Sequence, residues 1–401
     1  MFAVKLNHHT FRTNSTGPLS STPPVGIGCL KAAGNYLLIN NIGRNLEIAL
    51  PRNKELASIA CYSRSTFSDD QEAIDFDLDM HALIYNPAWK RLLTLNHNGR
   101  IRMFNTENLI AKEPQANIFS SGDGDRPGAC LNLEPEAEFL WKSDVEHSLL
   151  IGNCLVSSSP LGYRSCDPAE PGLLVSRPIE ISANSNLKSA CQLEHHLEMS
   201  QLGSISALAI DGRQQRLALA SDEYVYLFNW RLAADGSLAL NGPLWPTRVP
   251  FRTTFLAFGK GETLVAGGYQ LGLKENELDP SSLTGGGYAL INTTDGVIRY
   301  QASFKPNLAW GTSAQCLTLS KDADFLLGVD RHAGLYGWSL ASGAFETLFE
   351  SAEKSERSLG IAHLAWLGDR LYCGFNRDGN RLHVYEFAKT EEQRKRPLCR
   401  L

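Results

Sequence analysis

The sequence predicts an all-β fold assembled from seven repeated strand units. Three observations predict it. Short apolar strands centred on a leucine recur seven times, polar tight turns separate them at matching places, and no stretch carries a helical stripe. The first strands centre on Leu30, Leu83, Leu140, Leu208, Leu256, Leu317 and Leu364, at intervals of roughly 47 to 68 residues. Short strands at such spacing, punctuated by turn residues, are the pattern of all-β folds. An apolar stripe at i, i+3, i+4 and i+7 is not sustained over three turns anywhere.

Each element of the unit has its own signal. Second strands follow the first at similar distance, as in Tyr36-Leu37-Leu38-Ile39, Leu92-Leu93-Thr94-Leu95, Leu217-Ala218-Leu219-Ala220 and Leu371-Tyr372-Cys373-Gly374. Between them stand Asn86-Pro87, Asp211-Gly212, Gly259-Lys260-Gly261, Lys321-Asp322 and Gly368-Asp369. Asn and Asp close such turns with their own side chains, and Gly supplies positive φ. Third strands are rich in aromatic and branched residues, as in Ile101-Arg102-Met103-Phe104 and Tyr224-Val225-Tyr226-Leu227-Phe228. In the third unit Leu140 is read as the first strand, Leu149-Leu150-Ile151 as the second and Leu173-Leu174-Val175 as the third.

Seven such units predict a seven-bladed β-propeller, in which closing the ring removes open sheet edges. The last unit stops after its third strand, near Phe387. Its missing fourth strand is supplied by Phe2-Ala3-Val4-Lys5-Leu6, so residues 1–9 are expected to pair into the last blade. The expected organisation is a closing strand (1–9), a linker (10–27), the propeller (28–388) and a flexible basic tail (389–401). The units are similar to the blades of WD-repeat-like β-propellers from about Gly28 to Phe387. The Gly-His and Trp-Asp dipeptides of that family are missing: the fourth unit ends Phe228-Asn229-Trp230 and the sixth Gly337-Trp338-Ser339. The resemblance therefore implies a divergent propeller.

Composition bounds the function. Lys and Arg total 38 against 43 Asp and Glu, a formal charge of -5 that gives no reason to expect nucleic acid. No apolar run approaches a signal-peptide core or a membrane span, so a cytoplasmic protein without membrane partners is expected. Nine cysteines include no C-x-x-C pair and read as reduced, buried small hydrophobes. No metal or other cofactor is expected. Catalytic fingerprints such as Gly-x-Ser-x-Gly, His-Glu-x-x-His and phosphate-binding loops are missing.

Protein binding is the expected role, as a non-catalytic scaffold or adaptor in a larger assembly, with a lactonase- or hydrolase-type channel enzyme as the alternative. The loops joining second to third strands share one face with the connections between blades. They carry Arg44, His97, Arg100, Arg331, His332 and Arg377, candidates for gripping carboxylates or phosphates on a partner protein. Long loops at 153–172 and 267–287 enlarge the same face. A second candidate is the alternating stretch Ile74 to Met80, which puts Asp75, Asp77 and Asp79 on one side as an acidic strip. The pairs His8-His9 and His195-His196 are assigned no metal, because no third ligand stands at a recognisable spacing.

Overall fold

A computed structural model of the chain describes residues 4–12, 26–42, 45–52, 55–62, 80–96, 99–107, 130–132, 135–140, 145, 147–159, 172–179, 191–192, 196–197, 204–274, 277–304, 317–350, 359–360, 362–379 and 381–389. The described strands form seven sheets of four or five strands, and the fold is a seven-bladed β-propeller, as expected. By contacts the chain divides into two compact units, the first holding most of the sixth, seventh and first blades, the second the remainder.

The N-terminal strand is β1 (Val4–Arg12). The first blade is β2 (Ile27–Ala33), β3 (Tyr36–Asn41), β4 (Asn45–Arg52) and β5 (Glu55–Tyr62). The second begins with β6 (Met80–Asn86), β7 (Arg91–Asn96) and β8 (Arg100–Asn105). The chain then makes β9 (Cys130–Asn132), which joins the outer edge of the first blade's sheet, before β10 (Ala137–Leu140) completes the second blade. The third blade is β11 (Ser148–Ile151), β12 (Cys154–Ser159), β13 (Gly172–Val175) and β15 (His196–Leu197). On its way it lends β14 (Cys191–Gln192) to the outer edge of the second blade, in parallel with β10. Both lent strands cover edges that would otherwise expose backbone donors and acceptors.

The fourth blade comprises β16 (Ile205–Asp211), β17 (Arg216–Ser221), β18 (Tyr224–Leu232) and β19 (Leu238–Arg248). The fifth comprises β20 (Arg252–Phe258), β21 (Thr263–Lys274), β22 (Glu277–Asn292) and β23 (Ile298–Ser303). The sixth is β24 (Leu317–Leu319), β25 (Phe325–Val329), β26 (Leu335–Ser339) and β27 (Phe345–Phe349). The seventh is β28 (Ala362–Leu367), β29 (Arg370–Phe375) and β30 (Arg381–Lys389), with β1 as its fourth strand. That pairing is antiparallel and runs from Val4 opposite Lys389 to Arg12 opposite Arg381. It reaches three residues beyond the expected 1–9, because Phe11 is itself buried in the core.

The third blade departs from the expectation. Leu140 does not start it; β10 is the fourth strand of the second blade, paired with β8. The stretch Leu149 to Ile151 is the first strand and not the second, while Leu173 to Val175 is the third, as expected. The cause is an alternation common to first and fourth strands, which periodicity cannot tell apart. The two long loops also contain strands. Residues 154–159 are β12, and 267–287 fall largely in the β21–β22 ladder.

Burial explains the apolar runs. Second strands are covered on both faces, so β3 is buried throughout and β7, β17 and β29 are buried at all but their first residue. A doubly covered strand reads as a continuous apolar run, whereas first strands such as β16 alternate. In the first unit Phe11, Ile27, Leu30, Leu37, Leu382 and Val384 share one core. The turns behave as their residues require. Asn86 Oδ1 accepts from the amides of Ala88 and Trp89, and Asp211 Oδ1 from those of Arg213 and Gln214. Cys29, Cys154 and Cys373 are buried cysteines.

One histidine carries a stability consequence. His363 on β28 is buried, and burial pushes its imidazole down from 6.5 to about 4. The folded state therefore binds fewer protons than the unfolded one between these values. The neutral form contributes stability that is complete above about 6.5 and is lost as pH falls toward about 4, on the order of 3 kcal/mol at most. Denaturant titrations at pH 7 and pH 4.5 should show a smaller acid loss in His363→Leu than in the parent.

Candidate functional site

The expected face is built from turns between second and third strands. In the first unit these turns lie beside the connections between blades, and backbone hydrogen bonds show it. Leu359 N donates to Arg331 O at 2.9 Å, and Leu359 O accepts from Arg377 N at 3.0 Å. The segment entering the seventh blade thus ties the β25–β26 turn to the β29–β30 turn. Gly360 is required there, since a Cβ would lie 3.1 Å from Arg377 Cγ and closer still to Asn376 Oδ1, at a φ of +90°. The second unit repeats the device: Val249 N donates to Glu223 O and Thr253 N to Asp222 O.

The β25–β26 turn is tightly bonded. Asp330 Oδ1 accepts from the amides of His332 and Gly334, at 2.8 and 2.7 Å. Its Oδ2 accepts from Tyr336 OH at 2.9 Å, and burial together with this carboxylate raises the phenol's pKa. Tyr385 of the neighbouring blade donates its hydroxyl to Ala333 O at 2.7 Å. Asp330 is therefore spent inside the turn. Arg331 projects from it, exposed, with Nε donating to His332 Nε2 at 3.1 Å. That bond puts the proton of a neutral His332 on Nδ1, which is buried and has no hydrogen-bond partner among the described residues. An unfilled buried donor costs about 1–3 kcal/mol.

The β29–β30 turn follows the same plan. Arg377 is exposed, while the carboxylate of Asp378 turns inward onto His383 Nε2 at 2.8 Å, with side-chain exposures of 8% and 9%. Among the described residues neither Arg331 nor Arg377 has a carboxylate partner. The structure thus groups Arg331, His332 and Arg377 along one end of two neighbouring blades.

The other expected residues fare differently. Arg100 lies on β8 and is 3.3 Å from Glu138 Oε1, while buried Arg102 bonds the second oxygen of the same carboxylate at 3.4 Å. Arg100 is therefore engaged within its own blade. Arg44, His97, Asp75, Asp77 and Asp79 lie outside the described residues, as does most of the tail from 389 to 401. Among the described residues no His, Cys, Asp and Glu group is arranged to hold a metal, and no helix is long and apolar enough to cross a membrane.

Sequence reading missed one constellation. His8 on β1 approaches His383 on β30, Nε2 to Nδ1, at 3.3 Å, and His383 in turn meets Asp378. His8 stacks on Phe349 with ring centres 4.2 Å apart and lies 5.1 Å from Tyr385. The only signal available beforehand is register: once β1 pairs with β30, His8 stands opposite Tyr385 and diagonal to His383.

Neither a protein-family model nor a curated protein matches the chain.

Proposed function

We propose that this chain is a non-catalytic protein-interaction scaffold, a divergent relative of the WD-repeat-like propellers that works in the cytoplasm as a subunit or adaptor of a larger assembly. The observation that carries the reading is the pair Arg331 and Arg377. Both are exposed, lack acidic partners among the described residues and sit on turns locked by Asp330, Tyr336, Tyr385 and the Leu359 bridge. Asp330 and Asp378 are consumed internally, so among the described residues the two guanidinium groups have no carboxylate beside them. Arginine forks suit the carboxylates of an acidic segment in a partner protein. Rigid presentation lowers the ordering cost of binding.

Charge reversal tests this. The double variant Arg331→Glu/Arg377→Glu should melt within a few degrees of the parent, since both side chains are exposed. Binding of an immobilised Glu-rich peptide, read by surface plasmon resonance, should fall at least about tenfold, and the parent's binding should weaken with added salt. Unchanged, salt-insensitive binding by the variant would remove these residues from the interface.

A further inference from the structure

We propose that His8, His383 and Asp378 form an acid-sensitive latch that holds the closing strand β1 on the seventh blade and lets it go when the imidazole pair takes up a second proton. The hydrogen-bond logic is directional. Asp378 Oδ2 accepts from His383 Nε2–H, which leaves His383 Nδ1 as an acceptor for His8 Nε2–H across 3.3 Å. A single added proton is tolerated, because His383 as an imidazolium still donates to Asp378 and to a His8 in its other tautomer. A second proton makes both facing nitrogens donors. The pair then holds two like charges with no acceptor between them.

Aromatic rings cover part of the half-buried His8. β27 contributes the Phe349 ring stacked on His8. β30 contributes His383 and the buried Tyr385, whose hydroxyl is already committed to Ala333 O. The remaining titratable neighbours are His9 on β1, Glu346 on β27 and Glu350 beyond it, Arg381 at the start of β30, and Glu386, which is paired with Arg370. Asp378 is a carboxylate joined to the array, and it touches His383. Burial first, then His383 and His9, push the His8 imidazole down from 6.5 to about 4. His8 is therefore neutral in the closed state. Closure is complete above about 6.5 and weakens as pH falls toward about 4.

Hydrogen exchange on the full-length protein tests the latch. Protection factors for residues 4–12, corrected for intrinsic pH dependence, should fall by about tenfold per pH unit between about 6.5 and about 4, because release takes up one proton. Protection across β17 and β18 follows global stability, including the acid loss set by His363, and marks the pH range in which β1 opens while the rest of the protein stays folded. His8→Phe keeps the ring stack but cannot titrate, so its β1 protection should be independent of pH. His8→Gln, a polar side chain of similar reach, decides the matter should the first variant misfold. Flat β1 protection in the parent, or a parental fall in the folded variants, overturns the proposal.

Discussion

Deleting residues 1–12 is expected to lower the denaturation midpoint sharply and to send the protein into aggregates on size-exclusion chromatography. Two losses combine. The nine-residue antiparallel pairing of β1 with β30 disappears, leaving β30 as a bare edge that offers its backbone to other chains. Phe11, 7% exposed, leaves a hole among Ile27, Leu30, Leu382 and Val384. Truncating a buried Phe to Ala alone costs about 3–5 kcal/mol, a large part of a domain's typical net stability of about 5–15 kcal/mol. Phe11→Ala should thus lower the denaturation midpoint sharply without aggregation, and a synthetic peptide of residues 1–12 added to the truncated protein should restore solubility.

Gly268→Ala is expected to be as damaging as a core truncation. Gly268 lies on β21 opposite Thr253, just before the register shift between Thr253 and Phe255. A Cβ there would sit 2.7 Å from the Arg252 carbonyl carbon and nearer still to its oxygen, with Phe251 Cδ2 at 2.9 Å. The obstacle is backbone, which cannot swing away as a flexible side chain would. Opposite it, Gly287 is similarly confined, with a Cβ 2.5 Å from Ala302 O. We expect a loss of about 3 kcal/mol or more in urea denaturation, in the range of strongly disruptive substitutions. Gly212→Ala is the matched control. A Cβ at Gly212 meets nothing within 4 Å, so its effect should stay within about 0.5 kcal/mol.

The repeat was legible because its physics is local. A second strand buried on both faces must be apolar throughout, and Tyr36 to Ile39 or Leu92 to Leu95 announce that directly. Asn86 and Asp211 announce their turns because each side chain closes the turn it sits in. The third blade misled for an equally physical reason. Glu138-Phe139-Leu140 alternates as a first strand does, yet Glu138 is held by Arg100 and Arg102 as part of an outer strand. Ion pairs of that kind join residues far apart in sequence, and Arg100 looked like a free surface arginine until its partner was in place. The acidic partners of the turns were equally hidden. Nothing in Asp330-Arg331-His332 says that the acid turns inward and the arginine outward; that follows from Tyr336 and the turn amides. The histidine array was least legible, since His8 and His383 stand 375 residues apart. Only the β1–β30 register unites them.

The two lent strands also impose an order in time. During synthesis the outer edge of the first blade, β5, waits for β9, which is made only after three strands of the second blade. The edge of the second blade waits in turn for β14, made after three strands of the third. At about 5–20 residues per second, each wait lasts on the order of several seconds, long compared with the formation of a hairpin. The first and second blades are each finished by their successor, so a ribosomal pause within the second blade prolongs the exposure of the first.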